Sequence, residues 1–150
     1  MKLGIISSMA ASPWGGSEEL WVALASQALS EGHTVAASVY NWGELPVKIK
    51  EIEKKGVVIH KRSRISYLDI KGKFKGKIAQ LFVAEKQLLR FTSIEKPEVL
   101  FISFGAFCDF EIDALRNFLL STTIELLLPQ SHIATPAKSG YLVFNSLPSG

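Results

Sequence analysis

Residues 3–40, LGIISSMAASPWGGSEELWVALASQALSEGHTVAASVY, read as a strand, a glycine loop, one long helix and a second strand. Leu3 to Ile6 is a short apolar run, and small or turn-forming residues follow at once from Ser7 to Gly16. A buried parallel strand gives way to a loop in this manner. From Ser17 to Glu31, Leu20, Trp21, Leu24, Ala25, Ala28 and Leu29 recur in steps of three and four. That spacing predicts a helix with one broad apolar face, widened by Val22 and Ala23. Gly32 supplies the residue that takes positive φ just past a helix end, and Thr34 to Tyr40 resumes in β-branched and small residues. Together these elements make one right-handed βαβ unit.

The chemistry of this unit lies in its loop. Gly15 and Gly16 lack Cβ atoms, so the backbone there can approach a ligand closely, and a helix beginning at Ser17 aims its unpaired N–H groups at the same space. A phosphate or a sugar hydroxyl suits such a place. The alternative is that Pro13 to Gly16 is only a tight turn. Glu18 and Glu19, in the first turn, stabilise the helix but repel an anion. A neutral sugar hydroxyl could donate to them.

The order of an apolar strand, GGSEE, an Ala/Leu-rich helix, EGHTV and a further strand resembles the start of GT-B glycosyltransferases, particularly the large retaining family with a GG-x-E loop and a GH-x-V at the second strand. Those positions are Gly15, Gly16 and Glu18, then Gly32, His33 and Val35. The resemblance covers residues 1–40 in detail and the remainder only in architecture. It implies sugar transfer from a nucleotide-sugar, with this half holding the acceptor and the glycine loop lying across the cleft from the donor's diphosphate. The implied donor is a substrate, and neither a cofactor nor a metal is implied.

A chain of 150 residues that is 47% hydrophobic can bury the core of one domain of ordinary size. A GT-B enzyme has two Rossmann-like domains, so the resemblance implies that a nucleotide-sugar domain, or a partner chain in its place, lies outside this one. Cys108 is the one cysteine and cannot form an internal disulfide, which fits a reducing compartment. The start, MKLGIISS, is too briefly apolar for a signal peptide or a membrane span. A cytoplasmic location is expected, with peripheral attachment to a membrane as a variant.

The formal charge of +3 conceals an asymmetry, because residues 48–96 hold 14 of the 17 Lys and Arg against five acids. Within them, residues 61–77, KRSRISYLDIKGKFKGK, read as an exposed basic loop with apolar residues interleaved. Three readings fit that loop: an anionic membrane surface, nucleic acid, and a solvated loop. The resemblance favours the membrane over nucleic acid, because many members of the family use lipid-linked acceptors.

The rest of the chain alternates in the same way. A short helix is predicted from about Pro46 to Lys54, with Val47, Ile49 and Ile52 as its apolar contacts, and a strand from Val57 to His60. His60 reads as a strand-end side chain rather than a catalytic base. A helix follows over Ile78 to Ile94, then an almost wholly apolar strand, EVLFIS, at 98–103. The carboxyl end of such a strand delivers residues to a ligand, here Ser103, Phe104, Gly105 and Ala106. In the resembling family a histidine often follows this strand and touches the transferred sugar, and this chain has none there. A helix over Asp109 to Leu120 and a strand over Ile124 to Leu128 complete the pattern, placing His132 just beyond a strand end. Residues 129–150 read as an irregular or truncated segment in which Tyr141 to Phe144 is a final strand or a helix fragment.

No CxxC, HExxH, GxGxxG or GxxxxGK[ST] pattern occurs, so zinc, dinucleotide and P-loop readings lose their main support. The expected fold is a Rossmann-like three-layer α/β sandwich with a mostly parallel sheet over residues 1–128, one half of a GT-B fold. The expected substrate-binding residues are Gly15, Gly16, Ser17, Glu18, Ser103, Gly105 and His132, with no catalytic base named. The alternative function is a non-enzymatic Rossmann-like module that docks an anionic membrane surface through residues 61–77, or a protein partner.

Overall fold

The computed structural model describes residues 1–9, 12–63, 74–103, 125–126 and 141–145, with residues 74–82 and the last two segments described by backbone alone. The elements run β1 (Lys2–Ser7), α1 (Gly16–Ser30), β2 (Thr34–Tyr40), α2 (Val47–Lys54), β3 (Val58–Arg62), α3 (Phe74–Glu95), β4 (Val99–Ser103), β5 (Glu125–Leu126) and β6 (Tyr141–Asn145). The sheet order is β3-β2-β1-β4-β6-β5. Strands β1 to β4 are mutually parallel, and β6 runs antiparallel to both β4 and β5. The fold is therefore α/β, with a four-stranded parallel sheet at its heart and helices flanking it, as a Rossmann-like sandwich requires.

Period-two alternation sorts the strands' side chains onto two faces. Leu3, Ile5, Val35, Ala37, Val39 and Phe101 meet Trp21, Ala25 and Ala28 of α1 and Ile49 and Ile52 of α2. Burying each large apolar side chain in that cluster contributes about 1.5–3 kcal/mol. The other face carries Ile6, Ala36, Leu100 and Ile102, and α3 lies over its β2–β3 half with Ala84, Leu88 and Phe91 buried. Gly4, on this second face, accommodates Pro97: a Cβ there would lie 2.8 Å from the Pro97 Cβ.

Both helices on the first face end as their glycines predict. Gly32 (φ +79°) and Gly56 (φ +115°) follow the last turns of α1 and α2. His33 and Val57 donate their N–H groups back to Ala28 O and Ile52 O, while Gly32 and Gly56 donate to Leu29 O and Glu53 O. These paired bonds satisfy carbonyls that a helix end otherwise leaves open.

Three sequence expectations need correction. Leu20 and Val47 are solvent-exposed, because the buried stripe of α1 runs through Glu18, Trp21, Ala25 and Ala28 and that of α2 through Ile49 and Ile52 alone. The third strand continues past His60 to Arg62, whose long side chain folds back onto the sheet. Residues 61–77 are not one loop: Lys61 and Arg62 belong to β3, and α3 already begins at Phe74. Its lysines are good helix formers, and the cost of about 1 kcal/mol for Gly76 is small beside a helix of 22 residues. Of the two readings of Tyr141 to Phe144 the strand holds, since Tyr141–Asn145 pairs with β4 in this same sheet.

Acidic Glu95, at the end of α3, ties that helix to the sheet. Its carboxylate pairs with Lys2 Nζ at 2.8 Å and with His60 Nε2 at 2.5 Å. Burial pushes this carboxyl up, but the hydrogen bonds and charges of Lys2 and His60 outweigh it and hold it below its ordinary value. Among the described residues, no helix is long and apolar enough to cross a membrane.

Candidate functional site at the carboxyl edge of β1 and β4

The strand order reverses between β1 and β4, with β2 and β3 to one side and β6 and β5 to the other. In open α/β sheets the carboxyl edge at such a switch point is where ligands bind. The glycine loop stands at that switch point. Its connection to both strands is direct. Ser8 donates to Ser103 O through its N–H (2.9 Å) and its hydroxyl (3.0 Å), and Ser103 Oγ donates to Ser17 O at 3.1 Å. The first turn of α1 is thereby fastened to the ends of β1 and β4.

Glu18 lies beneath this turn and is only 3% exposed. Its carboxylate accepts hydrogen bonds from Ser7 Oγ, from Ser17 Oγ at 2.6 Å and from the Trp21 indole N–H at 3.4 Å. A buried carboxylate needs such donors, since leaving it unpaired costs several kcal/mol. Ser17, Glu18 and Ser103, three of the expected substrate-binding residues, lie together, with side chains turned inward. They brace the loop.

The outward edge is backbone. Gly15 is the N-cap of α1 in an extended conformation and has no side chain with which to cap it. Its carbonyl accepts from the Glu18 and Glu19 N–H groups, both at 3.1 Å. The N–H groups of Gly16 and Ser17 have no protein acceptor among the described residues, and they lie at the positive end of the helix dipole. A Cβ on Gly15 would come within 2.4 Å of Met9 Cε, whereas one on Gly16 would meet nothing within 4 Å. Neither glycine has the positive φ that would demand its residue type.

Glu19 faces the other way and is neutralised. Its carboxylate pairs with Lys48 and accepts from the Trp14 indole N–H at 3.1 Å, and the Lys48 hydrogen bond is the chief cause of its lowered pKa. Lys48 also lies 5.3 Å above the Trp14 ring, a cation–π contact that secures the outer wall of the loop. The two first-turn carboxylates therefore do not confront a ligand at the glycine edge: one is sealed inside and the other is paired.

A further residue fixes the strand ends from the opposite face. Arg62, 4% exposed, donates to Ser38 O at 2.7 Å and to Ser7 O, and lies 4.2 Å over the Tyr40 ring. Its signal in the sequence was one arginine closing the strand VIHKR, and it was hidden there among the neighbouring basic residues. Gly105 and His132 lie outside the described residues, as do Phe104, Ala106, Cys108 and the helix expected over Asp109 to Leu120. So do residues 64–73 of the basic stretch. Among the described residues no three His, Cys, Asp or Glu side chains are grouped to hold a metal. Compared with models of protein families and with curated proteins, the chain matches none.

Proposed function

We propose that this chain is the acceptor-side half of a glycosyltransferase that moves a sugar from a nucleotide-sugar to an acceptor. The observation that carries the reading is Gly16. The fold has no need of glycine there, since neither crowding nor φ requires it, yet it leaves a bare backbone edge with two unclaimed N–H groups at the switch point. An acceptor hydroxyl or the departing diphosphate fits this edge, and hydrogen bonds aimed at developing negative charge are the largest contribution such a half can make. Glu18, Ser17 and Ser103 act as positioning residues that hold the edge in place. The resemblance of GGSEE and EGHTV to the GT-B loop and second strand supports the same assignment. A nucleotide-sugar domain completes the cleft, and the chain by itself releases no UDP or GDP above a boiled control.

Binding to the glycine edge tests the reading directly. Titrating the chain with UDP, GDP and a panel of methyl glycosides should shift the amide resonances of Gly16 and Ser17 with at least one member. Gly16→Ala should abolish that response while leaving stability equal or higher by up to about 1 kcal/mol. Spectra unchanged across the whole panel would overturn the assignment. The competing reading, a module that docks an anionic ligand or surface without catalysis, draws on a second feature on the opposite face of the sheet.

A further inference from the structure

Strand β3 is an edge of the sheet, and α3 overhangs it. Between them runs a groove of about 520 Å³ lined by the helical stripe Gln87, Arg90, Phe91 and Ile94, and by His60, Lys61, Arg62 and Ser63 at the end of β3. The stripe falls at steps of three, one and three, one side of a helix. The groove is on the face away from α1 and the glycine loop, so a ligand bound in it goes beyond the sugar-transfer reading and does not rest on it.

The groove is polar at one end and apolar at the other. At the polar end Arg90 is solvent-exposed and makes no ion pair among the described residues. Beside it Gln87, which also lines the groove, accepts the Ser63 N–H through Oε1 at 2.8 Å, and its amide NH₂ is a donor. Among the described residues no carboxylate lines the space. Along the other end Ile94 is 54% exposed. Val58 is 50% exposed and shares the His60 face of β3, two residues away. The Phe91 ring is unavailable for stacking a planar base, since it is buried with an edge-on His60 contact at 5.3 Å. What remains open is aliphatic surface next to guanidinium and amide donors.

We propose that this groove binds a phosphate monoester carrying an aliphatic chain, with the phosphate on Arg90 and Gln87 and the chain along Ile94 and Val58. A guanidinium fork and an amide suit the several acceptor oxygens of a phosphate better than a single point charge would. The concave basic wall concentrates the anion, and the aliphatic flank supplies the preference for a chain.

Calorimetric titration of the whole chain with hexyl phosphate, inorganic phosphate and hexanol separates the two contributions. Hexyl phosphate should bind about tenfold or more tighter than inorganic phosphate, as burial of even two methylenes requires, and hexanol should not bind measurably. Arg90→Ala should weaken hexyl phosphate by about tenfold or more, and Ile94→Ser should erase its advantage over inorganic phosphate. Both side chains are exposed, so neither variant threatens folding. Lys54→Ala, an equal change of charge on α2 across the sheet, should leave the affinity unchanged. Equal affinity for hexyl phosphate and inorganic phosphate, or equal loss in Lys54→Ala and Arg90→Ala, would overturn the proposal in favour of diffuse charge. Binding to phosphatidic acid vesicles without any to hexyl phosphate would overturn it in favour of a membrane surface.

Discussion

Glu18 shows how one residue can look like a ligand contact and serve the loop instead. Read in the first turn of a helix beside two glycines, it suits a sugar hydroxyl. In the structure it occupies the first position of the buried stripe that continues through Trp21, Ala25 and Ala28. The step of three from Glu18 to Trp21 was visible in the sequence, but a carboxylate is discounted when an apolar face is traced. What made its burial possible was not visible: Ser7 is 11 residues away in the chain and reaches Glu18 only after β1 and α1 have packed. Glu18→Ala should destabilise the protein by about 2–4 kcal/mol, because the Ser7, Ser17 and Trp21 donors lose their charged acceptor. Glu18→Gln, which keeps the volume and an acceptor oxygen, should lose clearly less. Urea denaturation of the two variants measures the difference, and equal losses would show that the charge contributes nothing.

At the scale of elements, the attachment of α3 to the sheet runs through Glu95. The existence of this helix, and of every strand from β1 to β4, was legible because apolar periodicity is local. The partners of its polar end were not, since Lys2 and His60 come from strands far apart in the chain and a lone histidine carries no address. Glu95 has a carboxyl held below its ordinary value of 4.5. A depressed folded pKa means that the stabilisation is fully present above the ordinary value and is lost as pH falls through the lowered one. The denaturation midpoint should therefore decline below that ordinary value in the wild type. In Glu95→Gln the midpoint should be lower at neutral pH and the decline shallower. A decline of the same steepness in both would remove Glu95 from the acid response.

The whole sheet depends on strands whose order a sequence does not disclose. Alternation of strand and helix predicted a mostly parallel sheet, and β1 to β4 follow it. It could not reveal that β6 enters antiparallel between β4 and β5, because such pairing depends on contacts between distant segments rather than on any local period. Ending the chain after residue 128 should consequently bare the hydrogen-bonding edge of β4, whose sequence is VLFIS. An exposed apolar edge of this kind pairs with other chains. Light scattering should detect association of the shortened chain under conditions where the whole chain shows less. A monomer as stable as the parent would show that β6 is dispensable. The central place of β1 has a consequence during synthesis as well. Its partner on one side is β2, made at once, but on the other it is β4, and Lys2 N–H is bonded to Glu98, 96 residues later. A ribosome adding about 5–20 residues per second needs several seconds to pass from the end of β3 to the end of β4. For that interval the nascent half-sheet offers one flank of its innermost strand, a natural point of attachment for a chaperone.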